Sequence, residues 1–225
     1  MLRNKLIFAK TNPMPSSVGD RLSCTWEVVY VLARSRSYFF DLDAIRVPTV
    51  SRAPQRRSDE KEPKDPRSSR PQWAGPLAGS NVGLARLKLA GRVGHPLGKN
   101  IGDVWFLSAS NYRGGHYATF NETLVRRMLL AGCPEQACTT CGKPWQRKTR
   151  QLAALAVRGE LQAACECDAK FVPGLVLDPF FGVGTVGLVA ESLDRDWLGI
   201  ELNPAFAKVA RERIAEACHG EQAAA

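Results

Sequence analysis

No apolar run in these 225 residues approaches the roughly 20 residues that a membrane-spanning helix needs. No apolar stretch follows Met1-Leu2-Arg3-Asn4-Lys5, so the start does not read as a secretory signal. The expectation is a soluble, cytoplasmic protein. No internal repeat is present, which argues against a solenoid. Acids are in the minority: 22 Asp and Glu against 31 Lys and Arg leave a net charge of +9 and a pI near 9.4. Such a balance favours a polyanionic partner. The seven cysteines are odd in number and unevenly spaced. They read better as thiols and metal ligands than as a disulfide framework. The length suits one sizeable domain, or one domain carrying an inserted module.

The most informative stretch is Leu175-Val176-Leu177-Asp178-Pro179-Phe180-Phe181-Gly182-Val183-Gly184-Thr185, followed by Gly199-Ile200-Glu201-Leu202-Asn203-Pro204. A short apolar strand ends in an acid. A glycine-rich turn leads into a helix, and a second strand also ends in an acid. This is a β-α-β unit of a nucleotide-type binding sheet. Gly182 and Gly184 allow a tight turn and close backbone approach to a ligand. The helix start offers free N–H groups to the same pocket. Glu201, at the end of the second strand, can accept two hydrogen bonds from ribose hydroxyls.

Two ligands compete for such a unit. Residues 182–187 spell G-x-G-x-x-G, and Glu201 follows at about the distance seen in a dinucleotide fold. Two features weigh against NAD. Asp178-Pro179-Phe180-Phe181 separates strand from glycines and puts an acid where a pyrophosphate would be repelled. Only 24 residues follow Glu201, too few for the rest of a dinucleotide domain. S-adenosylmethionine carries a positive sulfonium and amino group and no phosphate, so Asp178 suits it. A purely structural βα turn is the third possibility.

Three blocks carry a family resemblance. Asp178-Pro179-Phe180-Phe181-Gly182-Val183-Gly184-Thr185 resembles the D-P-F-x-G-S-G-T motif of bacterial and phage DNA methyltransferases that modify adenine-N6 or cytosine-N4. Residues 116–125, from His116 through Ala118, Phe120 and Glu122 to Leu124, resemble the H-x-A-x-F-P-E-x-L segment that precedes it in the permuted (beta-type) members. Residues 12–21, from Asn12-Pro13-Met14-Pro15 to Asp20-Arg21, with Tyr38-Phe39-Phe40-Asp41 and Ala44-Ile45-Arg46, resemble a third block. The blocks stand in the family's order and cover most of the chain. Ala9 and Trp26 depart from it where polar or histidine residues are expected, and Val183 replaces the common serine.

The resemblance implies an α/β fold: a Rossmann-like S-adenosylmethionine-dependent methyltransferase sheet, carrying an inserted recognition segment and a small zinc-knuckle-like insertion. It implies S-adenosylmethionine as cofactor and double-stranded DNA as partner. The implied cofactor residues are Asp178, Phe180, Gly182, Gly184 and Thr185, with Glu201 on the ribose. Phe120 is the candidate contact at the methionine end, or alternatively a core residue.

Along the chain, residues 1–48 read as the first part of the sheet. Residues 5–9 and 27–33 are strands. A turn at 34–37 brings Tyr38-Phe39-Phe40 back as a second strand of an edge hairpin. Residues 49–100 change character. Eleven lysines and arginines oppose four acids between 50 and 100, a net of +7, and six prolines break any long helix. This is either a solvated linker or a target-recognition segment. The family places its recognition region here, which makes Arg52, Arg56, Arg57, Arg67 and Arg70 the candidate DNA contacts. Residues 101–132 hold a strand at 102–107 and an amphipathic helix at 121–131. Leu124, Val125, Met128 and Leu129 face inward, and Asn121 caps the helix.

Residues 133–170 form a Cys-rich insertion. Cys138-Thr139-Thr140-Cys141-Gly142 has zinc-knuckle spacing, and Cys165-Glu166-Cys167 can supply the other two ligands. The pair's tighter spacing leaves free thiols open as an alternative, and Cys133 could replace one ligand. Residues 171–220 hold the β-α-β unit, with Asp196–Glu201 as its second strand. A final helix opens at Pro204 with Asn203 as cap.

The chain contains no [D/S]-P-P-[Y/F/W] loop. In the family this loop binds the exocyclic amine of a flipped-out base. The catalytic residues are therefore unknown. The expectation is a chain truncated at its amino end, with an unpaired side to the strand around Val176, and a marginal fold or one completed by a second chain. An inactive DNA- or cofactor-binding remnant is the alternative to an enzyme.

Overall fold

The structure is a computed structural model that describes residues 1–48, 95–110, 112, 119–152 and 155–222. The five candidate DNA-contacting arginines, Arg52 to Arg70, lie outside the described residues, as do His116 to Ala118. Val47–Lys99 forms a unit separate from the rest. Its described ends are joined by paired backbone hydrogen bonds between Val47 and Lys99, at 2.9 and 3.1 Å.

The larger unit begins with a three-stranded sheet. Strand β1 (Leu2–Lys10) lies between β2 (Trp26–Leu32), antiparallel to it, and β3 (Val104–Leu107), parallel to it. Ile7 faces Val28 on one side and Val104 on the other. Side chains alternate across a strand, so Leu6 and Phe8 share one face with Trp105 and are buried. The opposite face presents Trp26, Tyr30, Val104 and Phe106, all exposed.

Tyr38–Phe40, expected as the returning strand of a hairpin, forms no strand. The antiparallel partner of β2 is β1, whose nine residues offer a far longer ladder than three could. The 38–41 segment serves other groups instead. The Tyr38 hydroxyl accepts from Arg3 Nε at 3.0 Å, and Asp41 N–H donates to Ala131 O at 2.9 Å. Asp41 then caps a single 3-10 turn at Leu42–Ala44.

Helix α1 (Glu122–Gly132) follows the expected pattern closely. Asn121 Oδ1 accepts from Leu124 N–H at 3.2 Å, and its Nδ2 donates to Ser108 O at 2.8 Å, which ties the helix start to the end of β3. The helix buries two faces. Leu124 and Ala131 pack with Leu6, Phe8 and Trp105 of the first sheet. Val125 and Leu129 pack with Val189 and Ala190 from the carboxyl end of the chain.

The carboxyl end is the expected β-α-β unit. Strands β8 (Leu175–Asp178) and β9 (Asp196–Gly199) are parallel, joined through α2 (Thr185–Glu191). Val176 and Trp197 pack under α1 and α2. Leu175, Leu177 and Leu198 on the other face are exposed. Among the described residues β8 pairs with β9 alone. Helix α3 (Pro204–Gln222) packs Ala210 and Ile214 on Phe181. Asn203 Oδ1 accepts from Ala205 N–H at 2.9 Å, as its capping role requires.

Between α1 and β8 lie four short strands. Strand β4 (Gln136–Cys138) pairs antiparallel with β7 (Phe171–Pro173). Strands β5 (Gln146–Leu152) and β6 (Leu155–Gln162) form a hairpin that the sequence pattern did not announce. Ion pairs anchor it: Arg158 with Asp41, and Arg147 with Glu135 at 2.6 Å. The Arg147 guanidinium, hydrogen-bonded to Glu135, holds that carboxyl below its ordinary range. No described helix is long and apolar enough to cross a membrane.

At the end of β9, Gly199 has no room for a side chain. A Cβ there would stand 2.3 Å from the Phe181 ring, which is buried and stacked on Trp197 at 4.9 Å. Gly199→Ala should cost about 1–3 kcal/mol through forced displacement of that ring. Thermal unfolding should record a loss of several degrees. An unchanged midpoint would mean that the ring moves freely and does not brace the turn.

Candidate functional site

The site is built at the carboxyl ends of β8 and β9. Asp178, the last residue of β8, accepts from Phe180 N–H at 2.9 Å and so bends the chain out of the strand. Phe181 N–H then donates to Ile200 O at 2.9 Å, which ties the turn to the end of β9. Gly182 and Gly184 have φ of 53° and 78°, a region that L side chains rarely occupy. A Cβ on Gly184 would also lie 2.8 Å from that of Ala210 on α3. The turn needs glycine there for both conformation and space.

Glu201 closes the arrangement. Its Oε2 accepts from Gly182 N–H at 2.7 Å and its Oε1 from Asn203 N–H at 2.8 Å. Each carboxylate oxygen thus spends one acceptor site on the backbone. The expected ribose acceptor is held in place by the same turn that it stabilises.

A cleft of about 350 Å³ opens beside the turn. Its lining includes Ser108 and Ser110 after β3, Phe120 to Thr123 at the start of α1, Thr185 at the start of α2, and Arg213 of α3. The volume lies in the range of small-molecule sites. Two sequence candidates, Phe120 and Thr185, meet here. Phe120 is 46% exposed, which suits a ligand contact better than a core position. The other candidates, Asp178, Phe180, Gly182, Gly184 and Glu201, are not part of the cleft lining, and the Phe180 side chain is 87% exposed.

Arg213 escaped the sequence reading. Its Nη1 donates to Val183 O at 2.6 Å, its guanidinium lies over the Tyr112 ring at 4.7 Å, and Glu122 is 3.7 Å away. It locks the glycine turn, at Val183, to α3. The signal was present: Arg213 is three residues after Ala210 and adjacent to Ile214, hence on the inner helical face. A charged residue there asks for a polar partner across the interface.

The four candidate metal ligands also come together. The sulfurs of Cys138, Cys141, Cys165 and Cys167 all lie within 4.8 Å of one another. Backbone N–H groups of Cys141 and Thr140 are directed at Cys138 and draw its thiol down to about 7. A hydrogen bond with the Cys141 side chain, followed by desolvation, pushes Cys167 up to about 12. Cys133 is not a member of the cluster. It is buried, donates to Pro134 O at 3.8 Å, and burial raises its thiol.

A family model described as DNA methylase, for the N6 and N4 type, matches residues 1–212. Among curated proteins, the type II methyltransferase M.SmaI of Serratia marcescens is 28% identical over 213 residues, spanning 95% of this chain and 46% of that protein. M.Cfr9I of Citrobacter freundii is 27% identical over 213 residues, spanning 95% and 44%. The chain therefore spans about half the length of the curated relatives it matches. Among solved structures, the cytosine-N4-specific PvuII DNA methyltransferase aligns with 95% of this chain and 54% of its own, at TM-score 0.47 and 13% identity. With a family model that covers nearly its whole length, this chain belongs to the N6/N4 DNA methylase family.

Proposed function

We propose that the chain is the cofactor-binding and target-recognition part of a site-specific DNA methyltransferase. It would move a methyl group from S-adenosylmethionine to an exocyclic amine of adenine or cytosine, as part of restriction-modification or a phage counterpart. The observation that carries the reading is the pair of strand-end acids, Asp178 and Glu201, joined through one glycine turn beside an open cleft. A positive sulfonium and amino group suit a site with two carboxylates, and ribose hydroxyls suit Glu201. A pyrophosphate would meet those charges unfavourably. Phe120 and Thr185 would contact the methionine end, and the basic 49–100 segment would hold the duplex through its phosphates.

No [D/S]-P-P-[Y/F/W] loop occurs in the sequence, so no residue here is assigned to activating the amine. Holding a flipped-out base in line with the sulfonium is a positioning task that needs such a loop. A second polypeptide segment would supply it. Among the described residues β8 has a partner on one edge only and its Leu175 and Leu177 are exposed, which supports that reading. The same absent loop favours the other reading, a DNA- or cofactor-binding remnant that binds without turnover.

Transfer of labelled methyl from S-adenosylmethionine to unmethylated genomic DNA separates these readings. The chain alone should give no incorporation, and a polypeptide carrying the acceptor loop should restore it. Incorporation by the chain alone would contradict the need for a separate acceptor loop; no restoration would favour the remnant. Glu201→Ala should weaken S-adenosylmethionine binding about tenfold or more, from loss of charged hydrogen bonds. Glu201→Gln, which keeps one acceptor, should lose less. Unchanged affinity in both, read by titration calorimetry, would remove Glu201 from the ribose site.

A further inference from the structure

The glycine-turn site makes no use of the four-cysteine cluster, which is nevertheless the most constrained polar feature of the segment between α1 and β8. Cys138 ends β4, and the following turn is a knuckle. Gly142 N–H donates to Cys138 O at 2.9 Å, Cys138 N–H donates to Lys143 O at 3.0 Å, and Gly142 sits at a φ of 68°. This turn brings Cys141 back over Cys138. The opposing pair arrives through β7. Thr139 N–H and Oγ1 both donate to Lys170 O, at 3.1 and 2.9 Å, and Cys138 stands opposite Phe171 in the β4–β7 ladder. Cys165 and Cys167 are thereby carried to the same point.

We propose that Cys138, Cys141, Cys165 and Cys167 bind one zinc ion as a closed, tetrahedral, four-thiolate structural site. In an ideal tetrahedron with Zn–S bonds of about 2.3 Å the sulfurs stand roughly 3.8 Å apart. The observed spacing, within 4.8 Å for every pair, needs a contraction of about 1 Å at most. Four soft thiolates select zinc over the hard cations, and a site closed by four protein ligands has no open position for chemistry. Two disulfides would instead require pairs at about 2.05 Å, and the seven cysteines are free thiols in this structure.

The two ladder strands explain why a metal is needed. Each has three residues, and Phe171 of β7 lies against Trp145, just ahead of β5, with ring centroids 4.9 Å apart. So small a pair buries too little to hold itself together. Its position gives it a purpose. Strand β4 starts three residues after Cys133, the C-cap of α1, and only Gly174 separates β7 from β8. A metal here pins the exit of the cofactor-side helix to the entry of the glycine-turn strand. Gly174 has no room to relax: a Cβ on it would stand 2.1 Å from Pro134 O.

The test uses the full chain, purified under reducing conditions with zinc in the growth medium. Metal analysis should give about one equivalent of zinc per chain, and cobalt(II) substitution should give the intense thiolate charge-transfer and tetrahedral d–d absorption of a four-sulfur site. Alkylation read by mass spectrometry should label Cys24 at once. It should label Cys138, Cys141, Cys165 and Cys167 only after chelation. Cys167→Ser should at least halve the bound zinc, whereas Cys24→Ser and Cys218→Ser should leave it unchanged. Less than about half an equivalent of zinc, or equal alkylation of the four thiols with and without chelator, would overturn the proposal. Because alkylation and cobalt absorption are read on the unmutated chain, the outcome stands even if a variant fails to fold.

Discussion

The cohesion of the larger unit rests on one helix with two buried faces. The β2-β1-β3 sheet and the β8-β9 pair share no strand among the described residues, so no backbone ladder joins them. Helix α1 supplies the connection. Leu124 and Ala131 belong to the core of the first sheet, while Val125 and Leu129 belong to the core under α2 and Trp197. Leu124, Val125 and Leu129 each contribute about 1.5–3 kcal/mol when removed from water, and Ala131 less. A stripe this wide needs apolar residues at successive i, i+1 and i+4, i+5 positions, which is the pattern at 124, 125, 128 and 129. The N-cap matters for the same reason. Asn121 fixes where the helix starts, and through Ser108 it fixes that start to the end of β3. The cleft is therefore bounded by elements from both cores.

A second constraint concerns Glu201. The glycine turn forgoes side chains at the two positions where φ is positive, which leaves its packing to Phe181 and Val183, both buried. Its shape is held by hydrogen bonds from outside: Glu201 on Gly182, Ile200 on Phe181, and Arg213 on Val183. Backbone N–H groups and a carboxylate held in this way need little reorganisation when a ligand arrives, which lowers the cost of binding. Structure and binding are coupled in one side chain, so a substitution at Glu201 reports on both unless a conservative partner is measured beside it.

What the sequence made legible was local. The glycine turn and its strand-end acids, the cap and inner face of α1, the Asn203 cap, and each of the two cysteine pairs follow from short local spacings. What it hid was pairing between distant segments. Tyr38–Phe40 has strand-forming residues, but the longer β1 takes the place beside β2, and register along all seven residues of β2 outweighs proximity in sequence. The β5–β6 hairpin was hidden for another reason. Its strands mix polar and apolar residues, and it is held by Arg147 and Arg158 against acids at Glu135 and Asp41. Ion pairs leave no periodic trace. Phe180 and Phe120 show the same limit at the site: both aromatic, both near the turn, yet one lines the cleft and the other stands in solvent.

The most direct test of the account is titration calorimetry of the unmodified chain with S-adenosylmethionine and, separately, with NAD. Both ligands carry an adenosine ribose, and they differ in the charge set against Asp178. The account predicts saturable binding of S-adenosylmethionine, one per chain, and no measurable heat of binding for NAD. Binding of NAD without S-adenosylmethionine, or of neither, would contradict it.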